Sequence, residues 1–261
     1  MLTSNNNFVC ENKAELGSLE SFLWEDISTG KVSTEDLSQS YSKNAYILIR
    51  SFFDSNGVTE LRDNYSSQLT SPVDSNYGVG EHPAAEFVKS KSFLSFTSNN
   101  HLRGLAAGLL GGEVISLKRK ILRTYEKGSK ISSPAHRDIE YFPEGTDQIL
   151  TAWIPLGDCP VETGGILYLE GSHSMDWGHV DFSSKKWISR DLNKLVKECG
   201  SRWLASDFKA GDIILHSPYI VHSTLDCNTS NKRISTDFRF AKKGEKSDWR
   251  WDDFWQANDG Y

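Results

Sequence analysis

From Glu113 onward the chain is built of short β-prone runs divided by turn residues, and this texture limits the possible folds more than any other feature. The runs are VISLKRKILRTYE (114–126), QILTAWIPLGD (148–158), GILYLEGSH (165–173), DIILHSPYIVHST (212–224) and KRISTDFRFA (232–241), with Gly, Pro, Asp and Ser between them. Runs of this length and composition read as strands. With no regular helical run alternating between them, they predict an antiparallel barrel or jelly roll of the double-stranded β-helix kind, a mainly β fold. No βαβ alternation is present, and no glycine-rich phosphate loop follows a strand, which excludes dinucleotide-binding and nucleotide-hydrolysing architectures. There is no internal repeat or low-complexity tract.

The first 112 residues have a different character. The spacing of apolar residues predicts a short helix over 15–24, a strand over 46–53, a turn at Asn56-Gly57 and a helix over 58–69. Further helices are expected over 84–93 and in the run ending at Gly111-Gly112. The expected organisation is one domain over residues 1–261, with a helix-rich flank (1–112) against a jelly-roll core (113–245). Within the core, residues 175–204 form a polar insert carrying Trp177, Trp187 and Trp203, either a lid or an ordinary long loop.

Composition narrows the partners. Hydrophobic residues at 38%, charged residues at 25% and eight Trp describe a folded globular chain. A formal charge of −6 gives no general attraction for phosphate backbones or anionic lipid, so neither nucleic acid nor a membrane is expected as a partner. Cys10, Cys159, Cys199 and Cys227 are widely spaced and read as reduced thiols. No basic-then-apolar leader and no bilayer-length apolar stretch is visible, which leads to an expectation of a cytoplasmic protein.

The chemistry concentrates at His136-Arg137-Asp138. On an extended segment, residues i and i+2 point the same way, so this imidazole and carboxylate can converge on one metal ion while Arg137 points away. Completing a two-His, one-carboxylate face needs a third ligand from a distant strand, and His222 is placed for it, with His216, six residues earlier, as its rival. Such a face leaves positions open for a co-substrate and O2, as non-haem Fe(II) oxygenases require, whereas structural zinc sites are closed by four protein ligands. Arg233, eleven residues beyond His222 on the next strand, offers a guanidinium able to grip a carboxylate through two parallel hydrogen bonds.

Taken together, AYILIRSFF, the His-Arg-Asp triplet, TAWIPLGDCPVETGGILYLEGSH and GDIILHSPYIVHST with the Arg233 strand resemble the phytanoyl-CoA dioxygenase-like branch of the Fe(II)/2-oxoglutarate dioxygenases, over about residues 46–241. The resemblance implies Fe(II) held by His136, Asp138 and His222, with 2-oxoglutarate and O2 as co-substrates, and gives the third ligand to His222 over His216. It further implies that Arg233 binds the far carboxylate of 2-oxoglutarate, that Thr224 shares it, and that Trp153 lines the co-substrate pocket. Arg123 and Tyr125, on one face of a strand, are expected to touch substrate or co-substrate. Gly164-Gly165 and the Gly-Ser-His at 171–173 match turn positions. Arg137 stands where the family most often has Gln, and can pair with Glu140 or meet an acidic substrate. A retained Asp138 argues against halogenation, since related halogenases have a small residue there.

The function so implied is oxidation, most simply hydroxylation, of a C–H bond in a small molecule, with a role in specialised-metabolite biosynthesis. Two other readings share the fold: a non-catalytic jelly-roll binding protein, and a cupin-type metalloenzyme that does not use 2-oxoglutarate. The first predicts His222 or Arg233 turned out of the barrel; the second has no need of Arg233.

Overall fold

Ten strands form two sheets in the computed structural model, which describes residues 16–69, 83–127 and 132–254. In chain order they are β1 (Gly17–Ser18), β2 (Ser21–Leu23), β3 (Tyr46–Arg50), β4 (Val114–Tyr125), β5 (Ile149–Pro155), β6 (Ile166–Leu169), β7 (Trp203–Ala205), β8 (Ile213–His216), β9 (His222–Thr224) and β10 (Arg233–Lys242). The larger sheet runs β2-β3-β8-β5-β10-β4 and the smaller β1-β7-β6-β9. All pairings are antiparallel except β1 with β7 and β2 with β3. This is the expected jelly-roll architecture.

The helices are α1 (Trp24–Ser28), α2 (Thr34–Asn44), α3 (Ser55–Ser66), α4 (Pro83–Phe87), α5 (Lys91–Thr97), α6 (Asn100–Leu110) and α7 (Leu192–Cys199). Those N-terminal to β4 cover one face of the large sheet. Strand alternation divides the sheet cleanly. Ile47, Ile49, Leu122, Leu150, Ala152, Ile154, Ile213, Leu215, Ile234, Phe238 and Phe240 pack towards the helices, with Val58, Leu61, Tyr65, Phe87, Phe93 and Leu102. The intervening residues Tyr46, Leu48, Trp153 and Ile214 face the small sheet, meeting Ile166, Tyr168 and Leu204. The functional residues lie in this space between the sheets.

Behind the small sheet a third core joins Leu167, Leu169, Trp203 and Val221 to Trp177, Leu192 and Leu195, with Val180, Phe182 and Ile188 partly buried against it. Residues 175–204 are therefore an ordered layer held by apolar contacts, with Trp177 donating to the Ser172 carbonyl and Trp203 to the Leu192 carbonyl. The insert also ends inside the fold, since Trp203 begins β7.

Three local expectations are corrected. The described part of 15–24 holds β1 and β2 rather than a helix, because pairing with β7 and β3 outweighs a weak helical pattern. Asn56-Gly57 lies within the first turn of α3, where Asp54 caps the helix by accepting the Gly57 N–H at 2.8 Å. The helix expected over 84–93 is divided in two by Ser90, which leaves helical geometry and caps α5 through the Phe93 N–H. The polar stretch before β3, which shows no strong apolar period, carries α2, started by a reciprocal capping box between Ser33 and Asp36. No described helix is long and apolar enough to cross a membrane.

Candidate metal centre

His136, Asp138 and His222 form the one group of three among the described residues whose ligand atoms lie close enough to hold a metal ion, all within 4.8 Å of one another. The backbone brings them together. His136 and His222 face each other as a hydrogen-bonded antiparallel pair, each N–H donating to the other's carbonyl at 3.0 Å. Arg137 is extended, so Asp138 returns to the face of His136 before a short 3-10 turn begins. Nε2 of both histidines stands 3.7 Å from Asp138 Oδ1.

The protonation pattern suits ligation. His136 Nδ1 lies 2.7 Å from the Pro134 carbonyl and His222 Nδ1 3.1 Å from the Ile220 carbonyl. A carbonyl only accepts, so these contacts assign the proton to Nδ1 and turn the Nε2 lone pairs towards Asp138. Burial, reinforced by a neighbouring histidine, pushes both imidazoles down to about 3 and keeps them neutral. For Asp138 burial acts upward, but the Arg239 guanidinium beside it leads the opposing effects that hold the carboxyl well below its ordinary value. His136 keeps a side-chain exposure of 12%, which places it at the mouth of the site.

A cavity of about 370 Å³, its open mouth included, adjoins the group and is lined in part by Ser133, Thr151, Trp153, Ile166, Thr224 and Arg233. Arg233 is 1% exposed, its guanidinium stacked 3.6 Å from the centre of the Tyr125 ring. Nη1 donates to Ser235, while Nε and Nη2 have no partner among the described residues. Buried donors of a cation left unmade are costly, so their orientation calls for an anionic ligand. The local charge agrees. Three guanidiniums (Arg123, Arg233, Arg239) stand against two carboxylates (Asp138, Asp237). Asp237 pairs with Arg123 and Arg239, and Arg239 also reaches Asp138, which leaves Arg233 as the surplus positive charge.

Of the residues expected at the site from the sequence, Arg123, His136, Trp153, His222, Thr224 and Arg233 line this cavity, while Asp138 and Tyr125 touch the lining residues Thr151 and Arg233. Trp153 forms part of its wall beside Phe208. The Thr224 hydroxyl accepts the Ser133 N–H at 2.7 Å and donates to the Tyr125 hydroxyl at 3.3 Å. Tyr125 is the platform beneath Arg233; burial raises its phenol, but the fields of Arg233 and Arg123 together bring it below the usual tyrosine value. Arg137 turns outward to Glu140, as a residue between two inward neighbours should. His216, the rival ligand, is 1% exposed on β8 with its Nε2 3.8 Å from the other oxygen of Asp138, outside the group of three. Of the remaining histidines, His101 packs on Trp24 and His179 on Trp177; His82 lies outside the described residues.

Thr151, Asp237 and Arg239 were not foreseen from the sequence. Thr151 and Arg239 both donate to Asp138 Oδ2, at 2.5 and 2.8 Å. The signal was nevertheless present: counting by twos from Arg233 puts Ser235, Asp237 and Arg239 on its face of β10, and from Trp153 puts Thr151 on the inner face of β5.

The sequence matches the phytanoyl-CoA dioxygenase (PhyH) family over residues 41–235. This chain belongs to that family. It is thereby a non-haem iron, 2-oxoglutarate-dependent oxygenase, and the cavity chemistry fits both groups: two neutral imidazoles and a carboxylate for the metal, an unpaired guanidinium for a dicarboxylate. Comparison with curated protein sequences returns no match. Among solved structures, the fold is similar to the epimerase SnoN, in a complex with Fe3+, alpha ketoglutarate and nogalamycin RO, at 22% identity and a TM-score of 0.67 over 82% of this chain and 85% of that one. The carbocyclase SnoK from nogalamycin biosynthesis follows at 19% identity and a TM-score of 0.64 over 88% and 89% of the two chains. HygX from Streptomyces hygroscopicus, with nickel and 2-oxoglutarate bound, matches at 18% identity and a TM-score of 0.59 over 84% and 89%.

Proposed function

We propose that this PhyH-family member oxidises a C–H bond of a small organic molecule, with hydroxylation the simplest outcome and a tailoring step in specialised metabolism the fitting context. One observation carries the reading: the three-ligand group and the unpaired Arg233 guanidinium open into the same cavity, as anchoring one dicarboxylate at both ends requires. The single-domain organisation with its 175–204 layer suits such an enzyme, since the layer packs behind the small sheet that carries His222. The named activities of SnoN and SnoK, an epimerase and a carbocyclase, illustrate the variety of outcomes on similar folds, and their origin in nogalamycin biosynthesis favours a biosynthetic role here.

In this reading His136, Asp138 and His222 hold Fe(II), presenting neutral Nε2 lone pairs and one carboxylate oxygen. Arg233, braced by Tyr125 and Ser235, receives the far carboxylate of 2-oxoglutarate through Nε and Nη2. Thr224 steadies the wall beside it by tying Ser133 to Tyr125, and Trp153 keeps water from that end of the cavity. Iron and 2-oxoglutarate, when bound, supply the O2-dependent oxidation, while the protein contributes placement and shielding. Arg123, paired with Asp237 at the cavity wall, orders the polar floor and can meet an acidic group of the substrate.

The test is anaerobic addition of Fe(II) and then 2-oxoglutarate to the apo-protein. A visible charge-transfer band that needs both components, and that is lost in His222→Ala, supports the reading. A folded, iron-loaded protein that shows no band overturns it.

A further inference from the structure

Both oxygens of Asp138 face different surroundings, and the contrast has a purpose. Oδ1 faces the two Nε2 lone pairs, whereas Oδ2 receives Thr151 Oγ1 at 2.5 Å and Arg239 Nη2 at 2.8 Å. A carboxylate oxygen has two lone-pair directions, so two donors occupy Oδ2 and leave Oδ1 as the atom free for a metal. Arg239 is itself fixed: Nη1 pairs with Asp237, which Arg123 holds from its other side, and its guanidinium lies over the Trp251 ring at 4.7 Å. Arg239, Asp237, Thr151 and Asp138 are all at most 5% exposed. Burying a charge network of this size contributes little net stability, and hydrophobic residues of similar volume would serve the fold as well or better. Its placement around Oδ2 points to another role.

We propose that Arg239, oriented by Asp237 and assisted by Thr151, is a positioning residue that confines Asp138 to ligation through Oδ1 alone. The inference rests on the iron reading above. With one oxygen and two imidazole nitrogens the protein would supply three donor atoms and leave positions open for the chelating end of 2-oxoglutarate and for O2. A carboxylate free to turn would bring Oδ2 onto the metal and close one of them.

The test uses Co(II), whose visible absorption reports ligand number without turnover, titrated into the apo forms of the full chain. Arg239→Gln is expected to weaken Co(II) binding about 10- to 100-fold and to change the shape of its visible spectrum, with Arg239→Lys intermediate. Asp237→Asn should move both readouts in the same direction and add little to Arg239→Gln, because it acts through the same guanidinium. Thr151 separates positioning from packing: Thr151→Val keeps the volume and loses the hydroxyl, while Thr151→Ser keeps the hydroxyl and loses a methyl. Positioning predicts a changed Co(II) spectrum for Val and a native one for Ser; a packing role predicts the reverse and overturns the proposal. Native Co(II) affinity and spectrum in both Arg239→Lys and Thr151→Val also overturn it, and these milder variants decide the matter if Arg239→Gln does not fold. Failure of the iron reading is seen separately, as a missing Fe(II)/2-oxoglutarate band in the unmodified protein.

Discussion

Arg233 is the residue on which co-substrate choice turns. Its buried guanidinium rests on an aromatic face and offers two idle donors in a fixed fork, which an ammonium on a flexible stem cannot reproduce. Arg233→Lys should therefore keep the charge yet weaken 2-oxoglutarate binding by about 2–4 kcal/mol, roughly 30- to 1,000-fold, in an anaerobic titration of the iron form. An unchanged affinity would remove Arg233 from the co-substrate site. At the same scale, a His-x-Asp triplet is weak by itself; the ligating residues were legible because His136 and Asp138 stand in company with His222 and Arg233 on later strands, and the family pattern decided between His216 and His222. The structure gives the physical ground for that decision. His216 lies on β8 opposite Thr151 and so approaches Oδ2, while His222 on β9 is the direct backbone partner of His136. Asp237 and Arg239 went unread because a charged pair late in a strand resembles ordinary surface charge until both faces of that strand are known to be covered.

Among the elements, β10 and β9 carry the most. The five core runs were visible as strands, though DIILHSPYIVHST divides into β8 and β9 in different sheets, a change of partner that periodicity does not encode. The β1 and β2 strands were missed since two or three residues are too few to show an alternation. The seat of β9 depends on Gly164, whose φ is +93° and whose missing Cβ would stand 2.6 Å from the Leu225 carbonyl, just past the end of the strand. Gly164→Ala is expected to cost about 1–3 kcal/mol in denaturant unfolding and to weaken iron binding, because relieving the clash moves the segment that follows His222 and Thr224. If stability falls while metal affinity holds, the strain is absorbed without reaching β9.

For the molecule as a whole, Lys120 gives a pH signature. It is buried on the helix-facing side of β4 with Nζ hydrogen-bonded to Ser116 and the Leu117 carbonyl, and burial pushes its pKa down to about 8 from 10.5. Because the folded value is the lower one, the unfolded chain binds more protons between those values. The penalty is full below about pH 8 and is relieved as pH rises towards 10.5. Unfolding free energy should rise across that window in the native protein and less so in Lys120→Met, which should also be the more stable of the two at pH 7, by about 1 kcal/mol or more. A flat profile for the native protein in that range would contradict this assignment. Removing iron is a separate case. The ligands are set by sheet pairing and by carbonyl contacts to Nδ1, so chelation should leave far-ultraviolet circular dichroism unchanged and lower Tm only by the mass-action loss of a bound ligand. The same backbone pairing gives metal content a second meaning. If β9 slipped by one residue against the His136 segment, the His222 ring would turn to the opposite face of its sheet and the three-ligand group would no longer exist. In a preparation saturated with Fe(II), the iron bound per chain should therefore report the fraction of molecules in which β9 has the native register.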